Sequence, residues 1–194
     1  MRNLRRNLPR TTGTRGFTLL ELSLYTALIL LIGGPLVSIV LVSTRSTKEN
    51  DTVNAVTERN RTVLLRVEKD LRRSIASTAS VADLGRALVF TTPAGFDGAA
   101  IVPGESVRVE LRPSAGETYN GKDDDGDGLV DDGDLVRRNA ATGQETLLAQ
   151  GIDLNTSLFS RVGTGFTLQL TSFGAVPGGR PFSVSKSVTV YPRN

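Results

Sequence analysis

The chain has no cysteine, no histidine and no tryptophan, and only 7 Phe and 3 Tyr among its 194 residues. Each absence removes a class of chemistry. Without cysteine there is no disulfide, no thiolate metal ligand and no cysteine nucleophile. Without histidine there is no imidazole to act as general acid, general base or metal ligand. The missing disulfides do not assign a compartment, because exported proteins also do without them. With so few rings, a core must be built from Leu, Val, Ile and Ala. An enzyme made from this chain would need a Ser–Lys pair or paired carboxylates. Ser185-Lys186-Ser187 is the nearest fragment, and the alternating polarity of a strand accounts for it more simply. The chain is therefore read as a non-enzyme.

Acidic residues are absent from the first 16 positions, which carry Arg2, Arg5, Arg6, Arg10 and Arg15. Removing those five from the 23 Lys and Arg leaves 18, against 20 Asp and Glu. The formal charge of +3 thus belongs to the amino-terminal segment, and the argument from total charge to nucleic acid loses its force. No nucleic-acid partner is expected.

A long apolar run follows. Phe17 to Val42 is 26 residues with one charge, Glu21. As a helix rising 1.5 Å per residue it reaches about 39 Å, more than the ~30 Å hydrocarbon core of a bilayer. Arginines before it predict that the leader stays in the cytoplasm and the remainder lies outside. An ordinary secretory signal has a shorter apolar region closed by a small-residue cleavage site, and no A-x-A-like site closes this one.

Arg15-Gly16-Phe17-Thr18-Leu19-Leu20-Glu21 resembles the processing motif of type IV prepilins and type II secretion pseudopilins. The resemblance covers roughly residues 13–42 and combines basic leader, Gly-Phe junction, Thr-Leu-Leu-Glu and long apolar helix. It implies cleavage by a prepilin peptidase between Gly16 and Phe17, and N-methylation of Phe17. It also implies a register role for Glu21, paired in a filament with the Phe17 amine of a neighbouring subunit. A Glu in a membrane helix costs about 2.5–3.5 kcal/mol on insertion scales, so its presence asks for a reason. The plainer reading is a first-turn acid favoured by the helix dipole. Gly33-Gly34-Pro35 is read in two ways. It is either a point where the helix kinks or melts on assembly, or a kink that membrane helices tolerate.

From Thr44 to Ile75 the chain is polar but keeps helical spacing. Val53, Val56, Val63, Val67 and Leu71 recur, with Leu64 beside them, as one apolar stripe. With no Pro or Gly between Pro35 and Gly85, one helix from Phe17 to about Ser74 is expected. Arg61, Arg66, Lys69, Arg72 and Arg73 interleave with Glu58, Glu68 and Asp70, as on a solvated face rather than an anion site.

Beyond Gly85 the period becomes two. Val107, Val109 and Leu111 alternate with polar residues, as do Phe166, Leu168 and Leu170, and Val184, Val188 and Val190. Arg86–Thr92 and Leu135–Arg138 are further expected strands, and Gly, Pro and Ser clusters separate them. The expected fold is α+β: a long N-terminal helix, membrane-spanning in one half and amphipathic in the other, packed on an antiparallel sheet in the pilin manner. The expected organisation is a leader at 1–16, a transmembrane or filament-core helix at 17–43, its amphipathic continuation at 44–75, and a β-rich head at 76–194.

Within that head, residues 119–135 read YNGKDDDGDGLVDDGDL. Against the calcium-loop pattern, Asp123, Asp125 and Asp127 fill positions 1, 3 and 5, with Gly128 at 6. Leu129 offers its carbonyl at 7, Asp131 stands at 9 and Asp134 at 12, and Val130 is expected to anchor the loop inward. Position 12 is Asp rather than Glu, and the flanks are not paired helices, so a full EF-hand is not expected. Seven Asp within twelve residues repel one another, which favours Ca²⁺ over a bare solvated turn. Mg²⁺ fits less well, because it demands tight octahedral geometry.

The resemblance implies a minor pilin or pseudopilin with an initiation or tip role, PilW-like or of the J type in secretion systems. Its expected partners are the prepilin peptidase, other pilin or pseudopilin subunits and the inner membrane, with the head extracytoplasmic. The alternative is a membrane-anchored calcium-binding or adhesive module that never polymerises.

Overall fold

Residues 19–72 satisfy their backbone within a single helix. The computed structural model describes residues 16–175 and 181–192. The five leader arginines lie outside the described residues. Helix α1 spans Leu19–Arg72 and remains helical through Pro35. The chain divides into two units, one up to Ser46 and one from Thr47, and α1 contributes to both.

In the first unit α1 carries Leu, Ile and Val on every side, and these side chains are exposed all round. The stretch is long and apolar enough to cross a membrane. Hydroxyls that would be lone polar groups there return to the backbone. Ser38 Oγ donates to the Gly34 carbonyl at 3.0 Å, and Ser23 Oγ to the Leu20 carbonyl at 2.8 Å.

In the second unit the helix becomes one-faced. Val56, Asn60, Val63, Leu64, Val67 and Leu71 are buried, a stripe at spacings of three and four. Val53, expected on that stripe, is 38 % exposed. The buried polar Asn60 takes a place that the apolar pattern left blank. The helix ends at Arg72, slightly short of the expected Ser74, because Ser74 Oγ takes the Leu71 carbonyl at 2.7 Å and tightens the last turn. Lys69 and Arg72 in that turn complement the dipole.

Eight strands follow: β1 Ser80–Ala82, β2 Ala87–Phe96, β3 Ile101–Pro113, β4 Asp132–Asn139, β5 Glu145–Asp153, β6 Leu158–Val162, β7 Gly165–Gly174 and β8 Phe182–Val190. They form one antiparallel sheet in the order β1-β2-β3-β4-β5-β7-β6, with β8 also on β7. Alternation places Leu88 opposite Val109 and Phe90 opposite Val107, all four fully buried. Their inner faces join Val63, Leu64, Val67 and Leu71 of α1 in a single core. The architecture is thus a long N-terminal helix packed on an antiparallel sheet.

Strands β1, β5 and β6 lie outside the segments whose alternation predicts a strand. Glu145–Asp153 breaks its alternation at a register shift against β4 and at Gly151, whose φ is +62°. Leu158–Val162 is short and depends on a two-residue Gly163-Thr164 turn to reach β7.

Candidate functional site

At the start of α1, Thr18 and Glu21 bond reciprocally. The Glu21 N–H donates to Thr18 Oγ1 at 3.2 Å, and the Thr18 N–H donates to Glu21 Oε2 at 3.0 Å. The Thr18 hydroxyl adds a bond to the same carboxylate oxygen at 3.1 Å. This is a capping box, Thr-x-x-Glu, which satisfies two of the backbone donors a helix start leaves over. Gly16 and Phe17 stand just before it, and Phe17 is 77 % exposed, its ring edge-on to Tyr25 at 6.1 Å. A Cβ added at Gly16 meets nothing within 4 Å, so nothing in this chain requires glycine there.

The acidic segment connects β3 to β4. Its apex is a run of carboxylate-capped turns. Asp123 accepts from the N–H of Gly126 at 2.7 Å and of Gly128 at 2.9 Å, Asp125 from that of Asp127 at 3.0 Å, and Asp127 from that of Leu129 at 2.8 Å. These bonds bring one carboxylate oxygen each of Asp123, Asp125 and Asp127 within 4.8 Å of one another, all exposed. Three of the expected donors therefore converge.

The others go elsewhere. Asp131 is buried with φ +49°, and its carboxylate accepts from the N–H groups of Asn120 at 2.8 Å and Gly121 at 2.9 Å, and from Asn155 Nδ2 at 2.9 Å. Burial pushes this carboxyl up, but the bonds from Asn155, Gly121 and Asn120, with Arg86 nearby, outweigh it and hold it below the usual range. It braces the base of the loop. Asp134 lies in β4, paired with Arg112 on β3. Burial raises its pKa against the opposing pull of Arg112. The loop closes early because β4 begins at Asp132, so position 12 of the calcium pattern falls inside a strand. Leu129 is half-buried, lining a groove with Arg59, Gln150 and Phe173, whereas Val130 is 41 % exposed. The inward anchor is Leu129, not Val130.

Two carboxylates outside the pattern complete the picture. Glu117 and Asp132 are buried, and with exposed Asp125 they form a second group whose oxygens lie within 4.8 Å of one another. Burial, with Asp127, Asp125 and Glu117 close by, raises the Asp132 pKa against a bond from Ser114. Glu117 precedes the Asp run by six residues and Asp132 sits at an even position of the motif, so neither fits the spacing rule. The available signal was Glu117 itself, the one acid between Pro113 and Lys122, next to Gly116. No protein-family model, curated protein or solved structure matches the chain.

The Ser185-Lys186-Ser187 fragment lies in β8, where alternation turns Lys186 to the face opposite both serines.

Proposed function

We propose that the chain is a minor pilin or pseudopilin, processed by a prepilin peptidase and assembled into a type IV pilus or type II secretion pseudopilus in an initiation or tip role. One observation carries the reading. The Gly16-Phe17-Thr18-Leu19-Leu20-Glu21 motif opens a helix whose first half exposes apolar side chains on every side. Such a surface requires lipid or other helices around it. The chain would be a single-pass protein of the inner membrane with its head extracytoplasmic, acting by assembly rather than by chemistry. Cleavage after Gly16 would create an amine on Phe17, the expected site of methylation, and Glu21 of one subunit would pair with the amine of the next. Calcium is the cation proposed for the Asp123–Asp125–Asp127 turn, at the roughly 10⁻⁴–10⁻³ M affinity usual for extracellular modules.

A specific observation favours a second reading, a membrane-anchored calcium-binding or adhesive module that never polymerises. Glu21 already has a role inside its own chain, as a partner of Thr18. N-terminal mass spectrometry of the protein from hosts with and without prepilin peptidase decides between them. A mature chain starting at Phe17 only when the peptidase is present supports assembly. An uncut chain in both hosts supports the anchored module.

A further inference from the structure

Two buried oxygens near the acidic loop have no hydrogen-bond partner among the described residues: Glu117 Oε2 and Asp132 Oδ1. Their residues are 6 % and 5 % exposed. A buried carboxylate oxygen without a partner is costly, and native interiors supply one, whether protein, water or ion. The second oxygen of each group is already committed. Glu117 Oε1 accepts from the N–H groups of Asp124 at 2.8 Å and Asp125 at 3.1 Å, and Asp132 Oδ2 accepts from Ser114 Oγ at 2.7 Å. Both carboxylates are thereby held in place, and one oxygen of each lies within 4.8 Å of one of Asp125. No Lys or Arg forms an ion pair with any of the three among the described residues.

We propose that Glu117, Asp125 and Asp132 form a divalent-cation site that fastens the apex of the acidic loop to the first residue of β4. The ion takes one oxygen from each carboxylate, and water fills its remaining positions. Oxygen-only ligation by carboxylates selects a hard cation, and three carboxylates on separate parts of the chain suit the flexible coordination of Ca²⁺ better than the strict octahedron of Mg²⁺. The site differs from the alternating Asp123–Asp125–Asp127 turn in two of its three ligands. It is independent of the assembly reading, because it needs neither cleavage nor a second subunit.

Glu117 and Asp132 also tie the ion to two different parts of the fold. Glu117 follows β3, and Asp132 opens β4 two residues before the Arg112–Asp134 pair. Binding therefore closes the loop across the strand ends rather than only ordering its exposed tip.

The test is calorimetric titration of the full chain in detergent micelles, stripped with EDTA, using CaCl₂ and separately MgCl₂. Melting curves in EDTA and in millimolar Ca²⁺ accompany it. Wild type is expected to bind Ca²⁺ at this site more tightly than Mg²⁺ and to melt higher with Ca²⁺, with a separate, weaker event at the exposed Asp123–Asp125–Asp127 turn. Glu117→Gln and Asp132→Asn, near-isosteric, each weaken Ca²⁺ binding by about tenfold or more, ~1.4 kcal/mol per decade. They remove like charge, so they melt in EDTA no lower than wild type yet lose the calcium-induced rise. Asp123→Asn loses only the weaker event and keeps the tighter binding, with its calcium-induced rise in melting, within about threefold. Should either buried variant fail to fold, exposed Asp125→Asn beside Asp123→Asn makes the same comparison, losing binding while its neighbour keeps it. The proposal is overturned if wild type gives no binding heat and identical melting curves. It is equally overturned if Glu117→Gln and Asp132→Asn bind as wild type, or if Asp123→Asn loses binding as fully as they do.

Discussion

Asn60 on α1 and Ser172 on β7 are bonded to each other in the core, 112 residues apart in sequence: Ser172 Oγ donates to Asn60 Oδ1 at 2.5 Å. Asn60 Nδ2 donates in turn to the Val184 carbonyl of β8 at 3.0 Å. One amide, itself fully buried with Ser172, thus joins the helix to two strands where an unpartnered polar group is penalised.

Replacing Asn60 by Ala is expected to lower stability by about 2–3 kcal/mol, since it leaves the Ser172 hydroxyl and a strand carbonyl without partners. Asn60→Ala with Ser172→Ala should cost less than the two single changes together. Urea unfolding of the four proteins in detergent, followed by circular dichroism, measures the coupling.

Gly16→Trp is expected to leave the fold unchanged, because the space around Gly16 is open. It should nonetheless leave the precursor uncut in a host with active prepilin peptidase. A mature product of wild-type mass from this variant would count against cleavage at Gly16–Phe17.

Thr18 and Glu21 allow capping to be separated from register. Glu21→Val removes the carboxylate, whereas Thr18→Val removes the hydroxyl part of the capping box and keeps the charge. If Glu21 pairs with a neighbouring amine, both variants enter the membrane but only Glu21→Val is lost from sheared filament fractions. Equal loss would reduce Glu21 to a helix cap, and no loss in either would favour the anchored module.

Asp131→Ala removes the acceptor for three donors at the loop base while leaving both candidate cation triads in place. Hydrogen exchange at the Asn120 and Gly121 amides should speed up markedly, with exchange in β7 unchanged. Protection equal to wild type would show that the loop base is held by other contacts.

Much of this architecture was legible locally. A membrane-length apolar run, a one-faced stripe with its 3.6-residue period, and the alternation of Val107, Val109 and Leu111 each follow from the geometry of a single element. An acid in the first helical turn was legible too; its reciprocal bonds with Thr18 came from the structure. Of the acidic segment, the Asp123–Asp125–Asp127 turn could be read directly, because its carboxylates bond to amides two to five residues away.

The sequence by itself determined where the helix runs, which of its faces are apolar and where chain reversals concentrate, because these depend on backbone sterics and side-chain spacing within a few residues. Tertiary structure alone decided that Asn60 is buried, since its partners Ser172 and Val184 come from strands more than a hundred residues on. It alone decided that Asp134 belongs to a strand, since pairing with Arg112 on β3 ends the loop at Asp132. It also brought Glu117 and Asp132 to Asp125. No spacing rule encodes that meeting, because it arises from the register of β3 on β4, from backbone amides that hold Glu117 and from the Ser114 hydroxyl that holds Asp132.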